Sequence, residues 1–163
     1  MKLEKAIRKI SEISKDKKTV FVAIDGRSGS GKTSVAKEIA SKLNNVELIH
    51  LDAFDMYRGK SSSEAVINQI IESNLKKSER RTVILEGIFS LNNLLLPYYD
   101  YRIWVDCPRE VGFERGLKRD IELNGIDNSE KWKTYWLPKE DKYIKDEQPE
   151  KKADVVIDGA GNI

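Results

Sequence analysis

Cysteine, histidine and long apolar runs are scarce in this sequence, and each scarcity excludes a class of protein. The single cysteine, Cys107, cannot form an internal disulfide, so a reducing compartment fits best. The single histidine, His50, cannot build a zinc site, and a packed, hydrogen-bonded role inside its predicted strand is favoured over a catalytic one. No apolar run is long enough to cross a membrane, and no signal-peptide core is visible. We therefore expect a cytoplasmic protein without a membrane partner.

The sequence also lacks an excess of charge of either sign. The chain has 29 basic and 27 acidic residues, so its net charge is only +2 and no bulk basic excess favours nucleic acid as a partner. Its 163 residues suffice for one domain that buries about 70% of its unfolded surface. We expect residues 1–163 to form a single undivided domain, while its oligomeric state stays open.

Short apolar segments alternate with helical patterns along the chain. The predicted strands are 19–25, 46–52, 81–87, 101–108 and 153–159. Helices are predicted at the N-terminus, around Val35, Ile39 and Leu43, and over residues 61–77. Further along the chain, a short helix is predicted over 90–100, a basic helix over 109–125, and a helix with a break at Pro138 over 129–148. This alternation is typical of βαβ units, and it predicts an α/β fold with a parallel sheet covered by helices on both faces.

A glycine-rich loop joins the first strand to the next helix. Residues 26–33 read GRSGSGKT and match the phosphate-binding pattern G-x-x-x-x-G-K-[ST] at every fixed position. Glycines let the backbone curl so that its N–H groups face phosphate, and the helix start adds its dipole. Lys32 would contact the outer phosphates and Thr33 a Mg²⁺ ion. The residues predicted to bind the nucleotide are Gly26, Arg27, Ser28, Gly29, Ser30, Gly31, Lys32, Thr33 and Ser34.

Three acidic residues lie at the ends of predicted strands. The carboxyl ends of parallel strands form the edge of the sheet at which ligands bind. Glu86 and Asp52 are candidate Mg²⁺ ligands together with Thr33, whereas Asp106 is better explained as a polar strand end. Asp52 could also accept the proton of an acceptor hydroxyl, as a general base does. Asp55, three residues further on, is the alternative base.

Two features of the C-terminal half allow two interpretations each. Arg115, Lys118 and Arg119 share one helix face, which either closes over a transferring phosphoryl group or is a solvated charged face. Trp132 and Trp136 lie four residues apart, and they either stack on a base or pack into the core.

Several stretches together resemble the uridine kinase family of P-loop kinases, which is related to phosphoribulokinase. They are IDGRSGSGKTSVAKEIA, HLDAF, ILEGIFSLNNLLLPYYDYRIWVDCPREVGFERGLKRD and PEKKADVVIDG, and they cover most of the chain after residue 18 except 58–81. The resemblance implies a three-layer P-loop NTPase sandwich with strand order 2-3-1-4-5, and ATP with Mg²⁺. It also implies Lys32 at the phosphates, Asp52 as base, Glu86 near the metal, and a mobile lid over roughly 109–145 that carries Arg115 and Arg119.

The chain departs from that family where the phosphate acceptor would bind. Uridine kinases carry a long insertion after the aspartate motif, but here only about one helix separates Tyr57 from Thr82. The motif itself reads DAFDMY rather than Asp-x-Phe-Tyr. We therefore expect a small-molecule kinase whose acceptor is a nucleoside or another hydroxyl compound, with weak activity on uridine. A slowly hydrolysing nucleotide switch and a non-catalytic ATP-binding module are the alternatives, and acceptor-stimulated turnover distinguishes them.

Overall fold

The computed structural model describes residues 1–54 and 60–161, and its centre is a five-stranded parallel sheet. The strands are β1 (Thr19–Gly26), β2 (Val46–His50), β3 (Arg81–Glu86), β4 (Tyr101–Asp106) and β5 (Val155–Asp158). Their order is β2-β3-β1-β4-β5, with every adjacent pair parallel. The predicted fold class and strand order are confirmed.

Helices lie against both faces of this sheet. They are α1 (Lys2–Asp16), α2 (Lys32–Lys42), α3 (Lys60–Leu75), α4 (Arg109–Asn124), α5 (Ser129–Lys131), α6 (Leu137–Glu147) and α7 (Pro149–Lys152). One apolar cluster joins α1 and α2 to one face, and a second joins α3 and the segment after β3 to the other. Within the described ranges, no helix combines the length and apolar character that a bilayer crossing needs.

Strand β1 is the central element of the core and positions the glycine loop. All eight of its residues are buried. Val22 and Ile24 belong to the cluster with α1 and α2, whereas Phe21 and Ala23 belong to the cluster on the opposite face. This alternation follows from the two-residue period of a strand, and it explains why β1 is apolar on both sides. The loop that follows Gly26 therefore begins mid-sheet, between the ends of β3 and β4.

Strands β2 to β5 are one to three residues shorter than predicted, and one predicted helix has a different form. Strand β2 ends at His50 rather than at residue 52, because the chain turns into a 3₁₀ helix, Leu51–Phe54, that buries Leu51 completely. The short helix predicted over 90–100 is a series of turns followed by a 3₁₀ helix, Leu96–Tyr98. There the Asn92 side chain bonds the Leu94 N–H and the Phe89 carbonyl, in competition with helical bonding.

The break predicted at Pro138 is wrong. A π turn, Trp132–Trp136, lies directly before α6, and its last bond joins the Leu137 N–H to the Trp132 carbonyl. Proline lacks an N–H, but it is tolerated in the first turn of a helix, where the N–H groups have no intrahelical partner. Pro138 occupies that first turn of α6, so the helical segment continues through it to Glu147.

Trp132 of this segment is buried between α4 and Trp136. Trp132 is only 2% exposed, its ring meets Phe113 and Trp136 edge-on at 6.0 and 5.2 Å, and its Nε1 donates to Asp120 at 2.8 Å. A Cβ placed on Gly116 would lie 2.4 Å from the Trp132 ring. For Trp132 the structure therefore favours the packing interpretation over base stacking. Gly116 leaves the space on α4 that this ring occupies.

We predict that Gly116→Ala destabilises the protein. The added methyl group must displace the Trp132 ring, and overpacking of this kind costs about 1–3 kcal/mol, more than the helix propensity of roughly 1 kcal/mol that alanine gains over glycine. Urea unfolding of both proteins measures the difference. An unchanged or increased free energy of unfolding would contradict this packing.

Candidate active site

The glycine loop curls in the way that phosphate binding requires. Gly29 and Gly31 have φ angles of +75° and +95°, which only glycine adopts readily, and the Ser30 N–H closes a turn onto the Arg27 carbonyl at 3.0 Å. Gly31 is the N-cap of α2, so the loop leads directly into the first turn of that helix. The N–H groups of a first turn have no intrahelical partners, and the helix dipole makes this end positive. The loop therefore presents an anion-binding surface.

Lys32 lies across the start of this loop. Its ammonium group donates to the carbonyls of Gly26 and Arg27 at 3.1 and 2.9 Å, and its side chain is buried. An ammonium group has three N–H donors, so two hold the loop and one is left for a ligand. Lys32, the cation at a fixed position of the motif, thus stands within the loop.

Thr33 and Glu86, both proposed near the metal, are brought into direct contact. The Thr33 hydroxyl donates to Glu86 Oε1 at 3.1 Å, which leaves the hydroxyl lone pairs free for a cation. Glu86 is only 3% exposed, and its Oε2 has no hydrogen-bond partner in the part of the chain that the structure describes. A buried carboxylate oxygen without a partner requires an explanation, and a hard cation such as Mg²⁺ fits these oxygen donors.

Water and substrate phosphates would supply most of the remaining ligands of such a cation. Among residues 1–54 and 60–161, no three histidine, cysteine or acidic side chains are grouped to hold a metal. Mg²⁺ commonly keeps several waters and binds through one or two protein groups plus substrate phosphates. Thr33 and Glu86 meet that smaller requirement.

Asp52 lies at the same edge of the sheet. It is exposed in the 3₁₀ helix after β2, and its Oδ1 is 3.1 Å from the point where a Cβ on Gly87 would stand. The carboxylate therefore borders the backbone that directly follows Glu86. The alternative base, Asp55, lies outside the described residues.

His50 occupies a different environment from the packed position expected inside a strand. It is the last residue of β2, its side chain is 47% exposed, and its Nδ1 lies 2.5 Å from Glu86 Oε1. The one histidine of the chain therefore contacts the same carboxylate oxygen as Thr33. It is hydrogen-bonded, as expected, but it belongs to the site rather than to the core.

Two glycines allow other parts of the chain to press against the loop. A Cβ on Gly29 would lie 2.1 Å from the Gly112 carbonyl oxygen of α4, and a Cβ on Gly159 would lie 2.0 Å from the Ser30 carbonyl oxygen. Real Cβ atoms do not approach so closely, so these contacts require glycine. The start of α4 and the end of β5 therefore form walls of the loop.

Acidic residues of α6 contact the other side of the loop. Glu140 is fully buried and accepts hydrogen bonds from the Ser28 hydroxyl and from the Ser28 N–H, the latter at 3.3 Å. Asp141 pairs with Arg27 at 2.7 Å and with Arg109 at 3.0 Å. Burial acts to raise the pKa of Asp141, but these two guanidinium groups hold that pKa below its usual value. The helix assigned to the lid is thus docked on the loop.

Asp25, directly before the loop, is fully buried. Its carboxylate accepts hydrogen bonds from Gly26 N at 2.7 Å, Leu91 N at 2.9 Å and the Tyr143 hydroxyl at 2.7 Å. Burial raises the pKa of Asp25 to about 6, although all three donors oppose that shift. Burial and the nearby Asp25 also raise the pKa of Tyr143, so this hydroxyl stays a donor. Asp25 therefore ties α6 to the chain that enters the loop.

The two predicted lid arginines have different partners: the turn after β5 for Arg115 and the neighbouring Asp120 for Arg119. Arg115 donates to the carbonyls of Gly159 and Ala160 at 2.6 and 2.9 Å, so it holds the turn that follows β5. Arg119 is largely exposed, with Asp120 as an ion-pair neighbour at 3.6 Å. The structure therefore gives the two arginines different surroundings, one fixed and one on the surface.

The sequence reasoning missed a set of residues that shape the loop from outside the motif. They are Asp25, Glu140, Asp141 and Tyr143. Asp25 could have been found, because it ends an apolar strand in the same way as Asp52, Glu86 and Asp106. For the three α6 residues no sequence signal was available, since their contacts span more than a hundred positions.

Comparison with family models and curated proteins finds nucleotide-binding relatives. The model of the NB-ARC domain matches residues 1–82, which contain β1, the glycine loop, α2 and β2. The uridine kinase of Saccharomyces cerevisiae is 26% identical over 84% of this chain, which spans only 36% of the yeast protein. The uridine kinase of Macrococcus caseolyticus is 28% identical over 89% of this chain and 90% of its own length.

Solved structures share the fold at lower identity. A candidate uridine kinase from Bacillus stearothermophilus superimposes with a TM-score of 0.63 at 22% identity, over 97% of this chain and all of the other. A candidate fructose transport system kinase from Silicibacter sp. TM1040 gives 0.72 at 17% identity, over 96% of this chain and 98% of the other. Both similarities concern the arrangement of the sheet and its helices.

We predict a pH-dependent stability that depends on Asp25. Because the pKa of Asp25 rises from 3.8 to about 6, the folded chain binds this proton more tightly than the unfolded chain does. The contribution is complete below about pH 4 and falls by about 3 kcal/mol as pH rises through 6. Relative to Asp25→Asn, which does not titrate there, the wild-type protein should lose that much free energy of unfolding between pH 4 and 7.

Urea unfolding at several pH values measures this loss. The exposed Glu122→Gln substitution serves as the control. A difference between wild type and Asp25→Asn that stays constant from pH 4 to 7 would refute the assignment.

Proposed function

Because the chain belongs to the P-loop NTPases through its NB-ARC match, and because it is similar to curated uridine kinases, we propose that it transfers the γ-phosphate of ATP to a hydroxyl group of a small molecule. The observation that carries the proposal is the contact between Thr33 and Glu86 beside the curled loop. It joins a phosphate-binding surface to oxygen donors for a cation, and phosphoryl transfer needs both.

The nucleotide would bind along residues 26–34. Backbone N–H groups of the loop and the start of α2 would face the phosphates, and Lys32 would add its charge. A Mg²⁺ ion held by Thr33 and Glu86 would neutralise charge on the phosphate oxygens. Asp52, which borders Gly87, would complete the ion's surroundings or meet the acceptor.

Asp52 is proposed as the general base. Its carboxylate would accept the proton of the acceptor hydroxyl while the new bond forms between that oxygen and the γ-phosphorus, and the bond to the β-phosphate oxygen breaks to release ADP. The role needs a carboxylate that substrate can reach, and Asp52 is exposed at the carboxyl edge of the sheet.

The segment 109–145 is proposed as the lid. The arginine with the more exposed position, Arg119, is free to turn toward a phosphoryl group when the lid adjusts, whereas Arg115 would fix the wall after β5. Arg119 would then act through positive charge that the transition state attracts more strongly than bound ATP does.

The acceptor is proposed to be a nucleoside or a smaller hydroxyl compound. The curated relatives are named uridine kinases. The resemblance to that family implies an insertion after the aspartate motif, for which this chain has no room. Less protein around the acceptor favours a compound that needs fewer enclosing walls.

We predict that ADP release from ATP and Mg²⁺ rises sharply with one class of acceptor. The experiment screens uridine, cytidine, sugars and vitamins with a coupled ADP assay, and uridine is expected to be a weak acceptor. The control is Lys32→Ala, which should lose most turnover and bind ATP more weakly because the loop loses its cation. No stimulation by any hydroxyl compound, with ATP still bound, would favour the non-catalytic alternative.

The base assignment predicts a selective loss. An amide cannot accept the proton, so Asp52→Asn should lower acceptor-dependent ADP release by about 10²–10⁴, with a much smaller change in ATP affinity. Asp106→Asn is the matched control, since Asp106 is another exposed aspartate at a strand end. Equal activities in the two variants would remove Asp52 from the role, and a large loss in Asp55→Asn would transfer it there.

A further inference from the structure

We propose that His50 is a positioning residue for the metal site: its Nδ1–H holds the Glu86 carboxylate so that one oxygen anchors Thr33 and the other stays free for the cation. The inference rests on the proposed function, because it requires the cation that Thr33 and Glu86 are proposed to hold. It assigns a task to a residue that neither the motif nor the resemblance singled out. It concerns a single contact, His50 Nδ1 to Glu86 Oε1, at 2.5 Å.

The two oxygens of Glu86 are used unequally. Oε1 lies within hydrogen-bond distance of both the Thr33 hydroxyl, at 3.1 Å, and His50 Nδ1, whereas Oε2 is buried and has no partner among the described residues. A carboxylate can rotate about its last bond, and a single donor such as Thr33 would leave that rotation loosely defined. A second donor on the same oxygen from another strand fixes which oxygen is left over.

The direction of the bond is set by chemistry. An ionised carboxylate oxygen only accepts hydrogen bonds, so Nδ1 carries the hydrogen and donates it. The ring is fixed at the end of β2, which pairs with β3 in a register that places His50 opposite Glu86. Because this register is set by the sheet, the donor lies at a defined height beside the carboxylate and needs no loop to hold it.

An ordinary surface ion pair would not combine these features. Surface pairs join two solvated groups and contribute little. Here one partner is 3% exposed and the other 47%, and the buried partner also contacts the phosphate-loop threonine. Some groups hydrogen-bond to a metal ligand without touching the metal. Replacing such a group typically lowers metal affinity or activity by about 10–100-fold.

The test measures metal binding rather than turnover. ADP affinity is determined by calorimetry with and without Mg²⁺, and Mn²⁺ binding to the protein–ADP complex is followed by electron paramagnetic resonance. His50→Phe keeps the ring but removes the donor. His50→Asn returns an N–H to the Nδ1 position, and His50→Gln returns one to the Nε2 position, on the wrong side.

We expect His50→Phe and His50→Gln to weaken Mn²⁺ binding by about tenfold or more, with ADP affinity in the absence of metal unchanged. His50→Asn should restore binding to within a few-fold of the wild type. This pattern separates positioning from a general loss of structure. If His50 only supported the fold, the thermal unfolding temperature of the variants would depend on side-chain size and not on the position of the N–H.

Equal Mn²⁺ affinity in the wild type and His50→Phe would overturn the inference while leaving the proposed function standing. Equal weakening in the Asn and Gln variants would also overturn it, since the position of the donor would then be irrelevant. A wild-type protein whose ADP affinity does not respond to Mg²⁺ would overturn the metal site itself, and the inference with it.

Discussion

A loop that binds phosphate through its backbone must hold its amide groups in place without covering them. That constraint organises this molecule. The curl of residues 26–33 depends on positive φ angles at Gly29 and Gly31, and bare glycine backbone cannot hold itself rigid. Rigidity comes from outside: α4 presses on Gly29, Gly159 presses on the Ser30 carbonyl, and α6 carries acidic groups to the opposite side.

The supports are of two physical kinds. On one side the contacts are backbone against backbone at glycines, where a single methyl group would intrude. On the other side they are charged or polar: Asp25 with three donors, Glu140 at Ser28, and Asp141 between two arginines. Buried charges of this sort are costly unless they are fully hydrogen-bonded, and Asp25 shows the cost in its raised pKa. These buried groups keep their hydrogen bonds only while the loop stays in place, so they hold the loop in this conformation.

The sequence specified what is local or periodic. The apolar runs predicted five parallel strands in the observed order once the family resemblance was included, and the motif predicted that Lys32 would lie within the loop. Glu86 was expected at the end of the third strand, and it is the last residue of β3, where it contacts Thr33. These inferences succeeded because strand periodicity and strand ends depend on neighbouring residues alone.

Most of what sequence reasoning missed depends on distant pairing, and the break at Pro138 is the local exception. The break expected at Pro138 ignored a π turn that places the proline in a first helical turn. The half-exposed contact of His50 follows from the register between β2 and β3, and a strand segment does not state its register by itself. Glu140 and Tyr143 look like ordinary residues of an amphipathic helix until the fold brings that helix to the loop.

The place of Gly159 in the chain has a consequence for synthesis on the ribosome. Domains form as the nascent chain emerges, and strands that pair with distant partners must wait for them. The glycine loop emerges early, yet one of its walls is the turn after β5, which Arg115 holds from α4. During translation the motif therefore emerges long before this wall, and the support from Gly159 is added only when β5 joins the sheet.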